Sequence, residues 1–223
     1  MTVGTKILLA SNSPRRRELM ALGSWTFTVS VIPVDETERP GERPAEYVLR
    51  LAEDKARAAV SRADSADVIV AADTTVVDGN SLLGKPRDAA EAAVMLKQLR
   101  GRTHQVYTGV AVLDPATGRL AKDVCVTDVP MRLYTDAEIE QYVRSGDPLD
   151  KAGAYAIQHA EFQPVANLSG CFASVMGLPL CHLLRLFEKL GLQPDLDVPS
   201  RCQSHLHYAC PVSAAILRGE RVG

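Results

Sequence analysis

The sequence predicts an α/β protein built on a mixed, twisted sheet with flanking helices. Three observations predict it. Strand signals alternate with helix signals along most of the chain, the pattern of layered α/β folds. Residues 67–77 form an apolar, β-rich run without alternation, as a strand buried on both faces requires. Two turn segments, Asp78-Gly79-Asn80 and Asp114-Pro115-Ala116-Thr117-Gly118, each join two strand signals, so some neighbours must run antiparallel.

The elements follow in order. Residues 6–10 read as the first strand, around Ile7, Leu8 and Leu9. Ser13 is placed as a helix N-cap with Pro14 at the first helical position, and the helix runs over 15–22 to a stop at Gly23. Residues 25–32 alternate as a second strand, and the polar, Pro-rich 35–44 form a loop. A helix over 46–63 carries Tyr47, Leu51 and Lys55 on one side. After the central strand at 67–77, residues 81–84 start back. Residues 88–99 form an amphipathic helix with Ala89, Ala92, Ala93 and Leu96 inward, ended by Gly101. Strands at 105–113 and 122–133 make the second hairpin. Thr135 caps a helix over 136–145, with Glu138 completing a capping box. Residues 150–158 read as a loop entering a strand, 172–176 as another strand and 179–190 as a closing helix. Beyond that the composition shifts to Pro, Ser, His and Arg. The expected organisation is one domain over 1–192 and a C-terminal tail over 193–223.

Composition narrows the function classes. A chain of 223 residues can bury a substantial core without disulfides or structural metal. Its net charge of −2 counts against a nucleic-acid binder, which carries a basic excess. No apolar run approaches the roughly 18 residues that span a bilayer, so no membrane partner is expected. The basic cluster follows the N-terminal apolar stretch, the reverse of a secretory signal, and a cytoplasmic location is expected. Five scattered cysteines do not suggest a disulfide framework. Cys202-x₂-His205-x-His207-x₂-Cys210 places four possible soft ligands in a short span, at a spacing that fits no common zinc finger.

Four segments carry candidate chemistry. Ser11-Asn12-Ser13-Pro14-Arg15-Arg16-Arg17-Glu18 lies at a strand-to-helix junction, where free backbone N–H groups and the helix dipole favour an anion. Arginine is opposed by that dipole, so local stability alone would not place it there, whereas its forked donors suit phosphate. The glycines of a Walker loop are missing. Asp73 sits in an apolar strand, and a buried carboxylate must be paired, metal-bound or at an exit into a cleft. Thr74 and Thr75 beside it offer hydroxyl donors. Gly84-Lys85-Pro86 stiffens the backbone behind Lys85, and Lys55 either joins a site or snorkels. Asp150-Lys151-Ala152-Gly153-Ala154-Tyr155-Ala156-Ile157-Gln158 allows close approach of a ligand or another backbone. Gln158 can both donate and accept, as a nucleobase edge requires.

Together these residues resemble the Maf family of nucleotide pyrophosphatases. Ser-x-Ser-Pro-Arg-Arg-x-Glu-Leu, Ala-Asp-Thr-x-Val, Lys-Pro, Asp-Lys-Ala-Gly-x-Tyr-x-Ile-Gln and Val-x-Gly-Leu-Pro-Leu stand in the family order over about residues 5–190. The resemblance implies two lobes around a deep cleft, a fold similar to the inosine triphosphate pyrophosphatases, and hydrolysis of a nucleoside triphosphate to the monophosphate and pyrophosphate. It implies a divalent cation, Mg²⁺ or Mn²⁺, as cofactor, a small-molecule nucleotide as partner, and a homodimer. It makes Asp73 the proton acceptor and, with Glu36, a metal-site residue. Arg15, Thr74 and Gln158 match positions tied to substrate choice; Ser13, Arg16, Lys55 and Lys85 match phosphate-site positions. The Asp-Thr and Ile-Gln versions resemble the branch preferring dTTP and UTP. A 7-methyl-GTP pyrophosphatase and a non-enzymatic regulator of septum formation are the alternatives. The chain departs from the family in having Asp54-Lys55 for Glu-Lys and in residues 159–173.

Overall fold

The computed structural model describes residues 5–63, 66–193 and 195–220. Six strands form one mixed sheet: β1 (Lys6–Leu9), β2 (Thr26–Val29), β3 (Val68–Asp78), β4 (Ser81–Leu83), β5 (Thr103–Leu113) and β6 (Leu120–Pro130). The order is β2-β1-β3-β5-β6, with β4 paired to β3. β1 runs parallel to β2 and β3, while β3–β4, β3–β5 and β5–β6 are antiparallel. The α/β class and the mixed sheet read from the sequence are therefore present, with the apolar run at its centre.

Helices cover both faces. They are α1 (Pro14–Met20), α2 (Pro44–Ala58), α3 (Ala89–Leu99), α4 (Asp136–Arg144), α5 (Phe172–Val175), α6 (Leu180–Lys189), α7 (Val198–His205) and α8 (Ser213–Leu217). Successive side chains of a strand point to opposite faces, and β3 uses both. Ile69 and Ala71 pack with Ala52 and Ala56 of α2, whereas Val68, Val70 and Ala72 pack with Leu19, Met20, Leu183 and Leu184 from α1 and α6. Farther along, Val76 joins a separate cluster with Leu96 and Leu99 of α3, Ile139 and Tyr142 of α4, and Tyr155 and Phe162. β3 thus passes from one lobe to the other. Gly109 on β5 lets α2 lie close: a Cβ there would come within 2.5 Å of the Val48 carbonyl oxygen.

Pairing along β3 leaves an opening. Its last residue paired with β1 is Val70, whose carbonyl also accepts from the Ala10 N–H at 2.8 Å. Its first residue paired with β4 is Val76. Between them, residues 71–75 are held by β5 on one side only. Their other edge lies beyond the carboxyl end of β1, where open α/β sheets place ligands.

Several local expectations are corrected. Residues 150–158 contain no strand; 3₁₀ turns at Asp147–Asp150 and Ala152–Ala154 fill the start of this stretch. Gly153 and Ala154 both take positive φ, 69° and 60°, and the Lys151 ammonium donates to Asp147 O, Asp147 Oδ1 and Asp150 Oδ1 at 2.6–2.9 Å, curling the backbone over it. Residues 172–175 are helical, not extended, because the Cys171 Sγ accepts from the Ser174 N–H at 3.4 Å and caps the turn. Ala89 is exposed; Met95 and Leu99 join Ala92 and Leu96 inward instead. The helix expected over 46–63 begins at Pro44 and gives way to a 3₁₀ turn at Ala59–Arg62.

The segment after residue 192 folds onto the body. Val198 and Ile216 are fully buried, and Cys202, Leu206 and Val212 pack on the cluster that contains α6. Arg201 donates to the Leu22 carbonyl at 2.7 Å and pairs with Asp195 at 3.0 Å.

Candidate active site

The opening beside β3 is the floor of a cleft of about 680 Å³. Its lining includes Ser13, Arg15, Arg16, Glu36, Lys55, Asp73, Thr74, Lys85 and Gln158. The structure therefore brings all nine sequence-predicted residues to one cavity, from segments that are far apart in the chain.

The period of β3 sorts the centre into two sides. Asp73 continues the α2-facing series and is 8% exposed. Its Oδ1 meets the Lys55 ammonium at 2.6 Å, and Glu36 Oε1 meets the same ammonium at 2.7 Å. Desolvation acts to raise the Glu36 pKa, but the hydrogen bond and charge of Lys55, with Lys85 and Arg16, hold it below the usual carboxylate range. Thr74 continues the α1-facing series. Its Oγ1 accepts from Arg16 Nη2 at 3.2 Å and lies 3.0 Å from Thr108 Oγ1.

Arg16 is fixed at three points. Besides Thr74, it donates through Nε to the Gly177 carbonyl at 2.8 Å and through Nη1 to Ser11 Oγ at 3.2 Å. A guanidinium has five N–H donors, so these three leave one on each terminal nitrogen without a partner among the described residues. Burial lowers the Arg16 pKa, opposed by Asp73. Ser13 caps α1, accepting from the Arg16 N–H at 3.4 Å. Arg15 lies 3.6 Å from Asp150, while Lys85 and Gln158 are exposed on the cleft wall. Arg17 is exposed and outside the lining.

The cleft inverts the charge of the chain. Arg15, Arg16, Lys55, Lys85 and Lys151 face Glu36, Asp73 and Asp150 in its lining, five positive against three negative, hence +2 where the whole protein carries −2. Lys151 is spent on Asp147 and Asp150. Such a cavity focuses its field on an anion.

The Maf-like protein family matches residues 6–190. The chain belongs to the Maf family. Among its relatives, a dTTP/UTP pyrophosphatase of Myxococcus xanthus (strain DK1622) is 50% identical over 189 residues, covering 84% of this chain and 94% of that one. A dTTP/UTP pyrophosphatase of Escherichia coli O157:H7 is 44% identical over 187 residues, again 84% and 94% of the two chains. The solved nucleoside-triphosphatase / dITP/XTP pyrophosphatase of Mycobacterium abscessus shares 16% identity, with a TM-score of 0.38 over 83% of this chain and 94% of that one.

This Maf chain also uses residues that its sequence does not single out. Tyr47 donates to the Glu36 carbonyl at 3.0 Å, and Arg50 donates to Thr37 O and Glu42, so α2 holds the loop that bears Glu36. Desolvation, Asp73 and Glu36 push the Tyr47 phenol up to about 12. Tyr47 shares a helix side with Lys55 in the sequence pattern, and that spacing is the available signal. Thr108 and Ser174 carry none: both are buried and neither stands within a motif, although Ser174 directly precedes the Val-x-Gly-Leu-Pro-Leu run and Thr108 lies opposite Thr74 in register.

The Cys/His cluster of the C-terminal segment does not assemble. His205 Nε2 lies 2.7 Å from Glu18, and Cys202 and Cys210 line a small apolar crevice with Cys171 and Cys181. All five cysteines are free. Among the described residues, no three His, Cys, Asp or Glu side chains are arranged to hold a metal. Glu36 and Asp73 form a different kind of pair. Two carboxylate oxygens already share one cationic point, and Mg²⁺ is held by one or two carboxylates together with substrate phosphates. This donor set fits a hard divalent cation.

Proposed function

We propose that this Maf protein hydrolyses dTTP and UTP to the monophosphate and pyrophosphate. The single observation that carries the reading is the convergence of the buried Asp73 carboxylate with Arg15, Arg16, Lys55 and Lys85 in one cleft. The names of the relatives support the pyrimidine substrates. A 7-methyl-GTP substrate and a non-enzymatic role in septum formation have no comparable support.

Phosphoanhydride hydrolysis needs a positioned water, neutralised phosphates and a stabilised leaving group. Asp73, at the unpaired edge of β3, orients the water and accepts its proton. Lys55 lies on that carboxylate in the free protein, and a polyphosphate competes for its ammonium. Arg16 presents its two remaining N–H donors from a fixed guanidinium, and Arg15 and Lys85 add charge that stabilises the departing pyrophosphate. Ser13 holds the first turn of α1 toward the phosphates. Gln158 and Thr74 contact the nucleoside. Glu36 and Asp73 would hold a Mg²⁺ or Mn²⁺ cofactor, which supplies Lewis-acid polarisation of the phosphates when bound.

The same reading includes a cytoplasmic homodimer with no nucleic-acid or membrane partner. No described helix is long and apolar enough to cross a membrane, and the negative net charge disfavours nucleic acid. The domain assignment, 1–192 for the pyrophosphatase and 193–223 for the tail, also belongs to it.

A panel of nucleoside triphosphates assayed for pyrophosphate release with Mg²⁺, Mn²⁺ or chelator tests the proposal. Release from dTTP and UTP that requires a divalent cation is expected. Selective release from 7-methyl-GTP, or none from any nucleotide, overturns it.

A further inference from the structure

We infer that Thr108, which does not line the cleft, is a positioning residue that sets which way the Thr74 hydroxyl points and thereby holds Arg16. This inference rests on the pyrophosphatase reading and concerns a residue outside its motifs.

Proton counting fixes the arrangement. Thr108 is fully buried on β5, directly opposite Thr74 in register. Its Oγ1 lies 2.8 Å from the Ser174 carbonyl oxygen and 3.0 Å from Thr74 Oγ1. A hydroxyl has one proton to donate, and a carbonyl has none. The Thr108 proton therefore goes to Ser174, and Thr108 can only accept from Thr74. The Thr74 proton is committed to the interior. Its lone pairs face the other way, where Arg16 Nη2 donates at 3.2 Å. Thr74 thus meets the cleft as an acceptor, against the sequence expectation of a hydroxyl donor.

Reversing Thr74 would set its O–H against an Arg16 N–H, donor against donor. The Ser174 carbonyl that fixes this order of donors belongs to α5, three residues before Gly177, whose own carbonyl holds Arg16 Nε. Thr108 therefore links the two sides that grip one guanidinium.

The test is a double-mutant cycle of Thr108→Val and Thr74→Val, with Thr108→Ser as the conservative control. Affinity for the non-hydrolysable α,β-methylene-dTTP is measured by calorimetry and pyrophosphate release from dTTP by steady-state kinetics. Thr108→Val should weaken binding about tenfold, the scale of one hydrogen bond to a charged group, and Thr108→Ser should restore it. When Thr74→Val is already present, the same change should matter less than about twofold, because contacts that act through a shared partner are not additive. Equal losses in both backgrounds would overturn the inference. Thermal unfolding checks that each variant folds, and Thr108→Ala replaces Thr108→Val if the latter does not. If the variants show the coupled binding losses while the wild type releases no pyrophosphate, the proposed reaction falls and the positioning role stands.

Discussion

Lys55 Nζ rests 2.6 Å from Asp73 Oδ1, joining a helix to a strand at the one stretch of β3 that has lost a neighbour. Replacing Asp73 by Asn removes the proton acceptor while keeping the volume. Pyrophosphate release should fall by about 10²–10⁴-fold, the usual contribution of a general base. Affinity for α,β-methylene-dTTP measured without divalent cation should change little, since the Lys55 ammonium loses one carboxylate partner and keeps Glu36. Near-normal turnover in this variant would remove Asp73 from the chemistry.

Gly177 takes φ of 106°, and a Cβ there would stand 3.1 Å from Arg16 Nε and 3.3 Å from Thr74 Oγ1. Gly177→Ala should therefore lower stability by about 1–3 kcal/mol through backbone strain. It should also raise KM for dTTP, because the guanidinium must give way. Chemical denaturation and steady-state kinetics report the two effects separately; unchanged values in both would contradict the close approach.

His104 is buried with its Nε2 2.8 Å from the hydroxyl of Tyr155, a residue of the cleft wall. Desolvation lowers its pKa from 6.5 to about 4, against a smaller pull from Asp78. The unfolded chain therefore binds the proton first as pH falls. The contribution of this group is complete above pH 6.5 and declines as pH drops toward about 4. His104→Gln should show a flatter dependence of the thermal midpoint on pH across that window. Parallel curves for wild type and variant would mean that this group does not titrate as described.

Removing residues 193–223 uncovers the core that Val198 and Ile216 complete. Each fully buried aliphatic side chain contributes about 1.5–3 kcal/mol, so the shortened chain should unfold at a clearly lower temperature. Elemental analysis of the intact chain should find no stoichiometric zinc, because His205 is engaged by Glu18. An unchanged midpoint after truncation, or one bound zinc per chain, would refute the respective expectation.

Most elements of the body were legible because their signals are local, and of the nine candidate residues that line the cleft, Glu36 was marked only by the family resemblance. An unbroken apolar run marked β3, a turn marked each hairpin, and Ser13, Pro14, Thr135 and Glu138 marked helix starts within three residues of the groups they satisfy. The motif order then pointed to one family. Tertiary structure decided where residues 152–154 curl, with the Gly153 N–H donating to the distant Gly84 carbonyl at 3.1 Å. It also decided that the C-terminal segment seals the core, and that Arg16 is gripped by a carbonyl 161 positions away. Periodicity records which face of an element is apolar, and it carries no information about which distant backbone comes within hydrogen-bond reach. That approach was set by packing: Leu19 and Met20 of α1 share one core cluster with Met176 and Leu178, the residues on either side of Gly177.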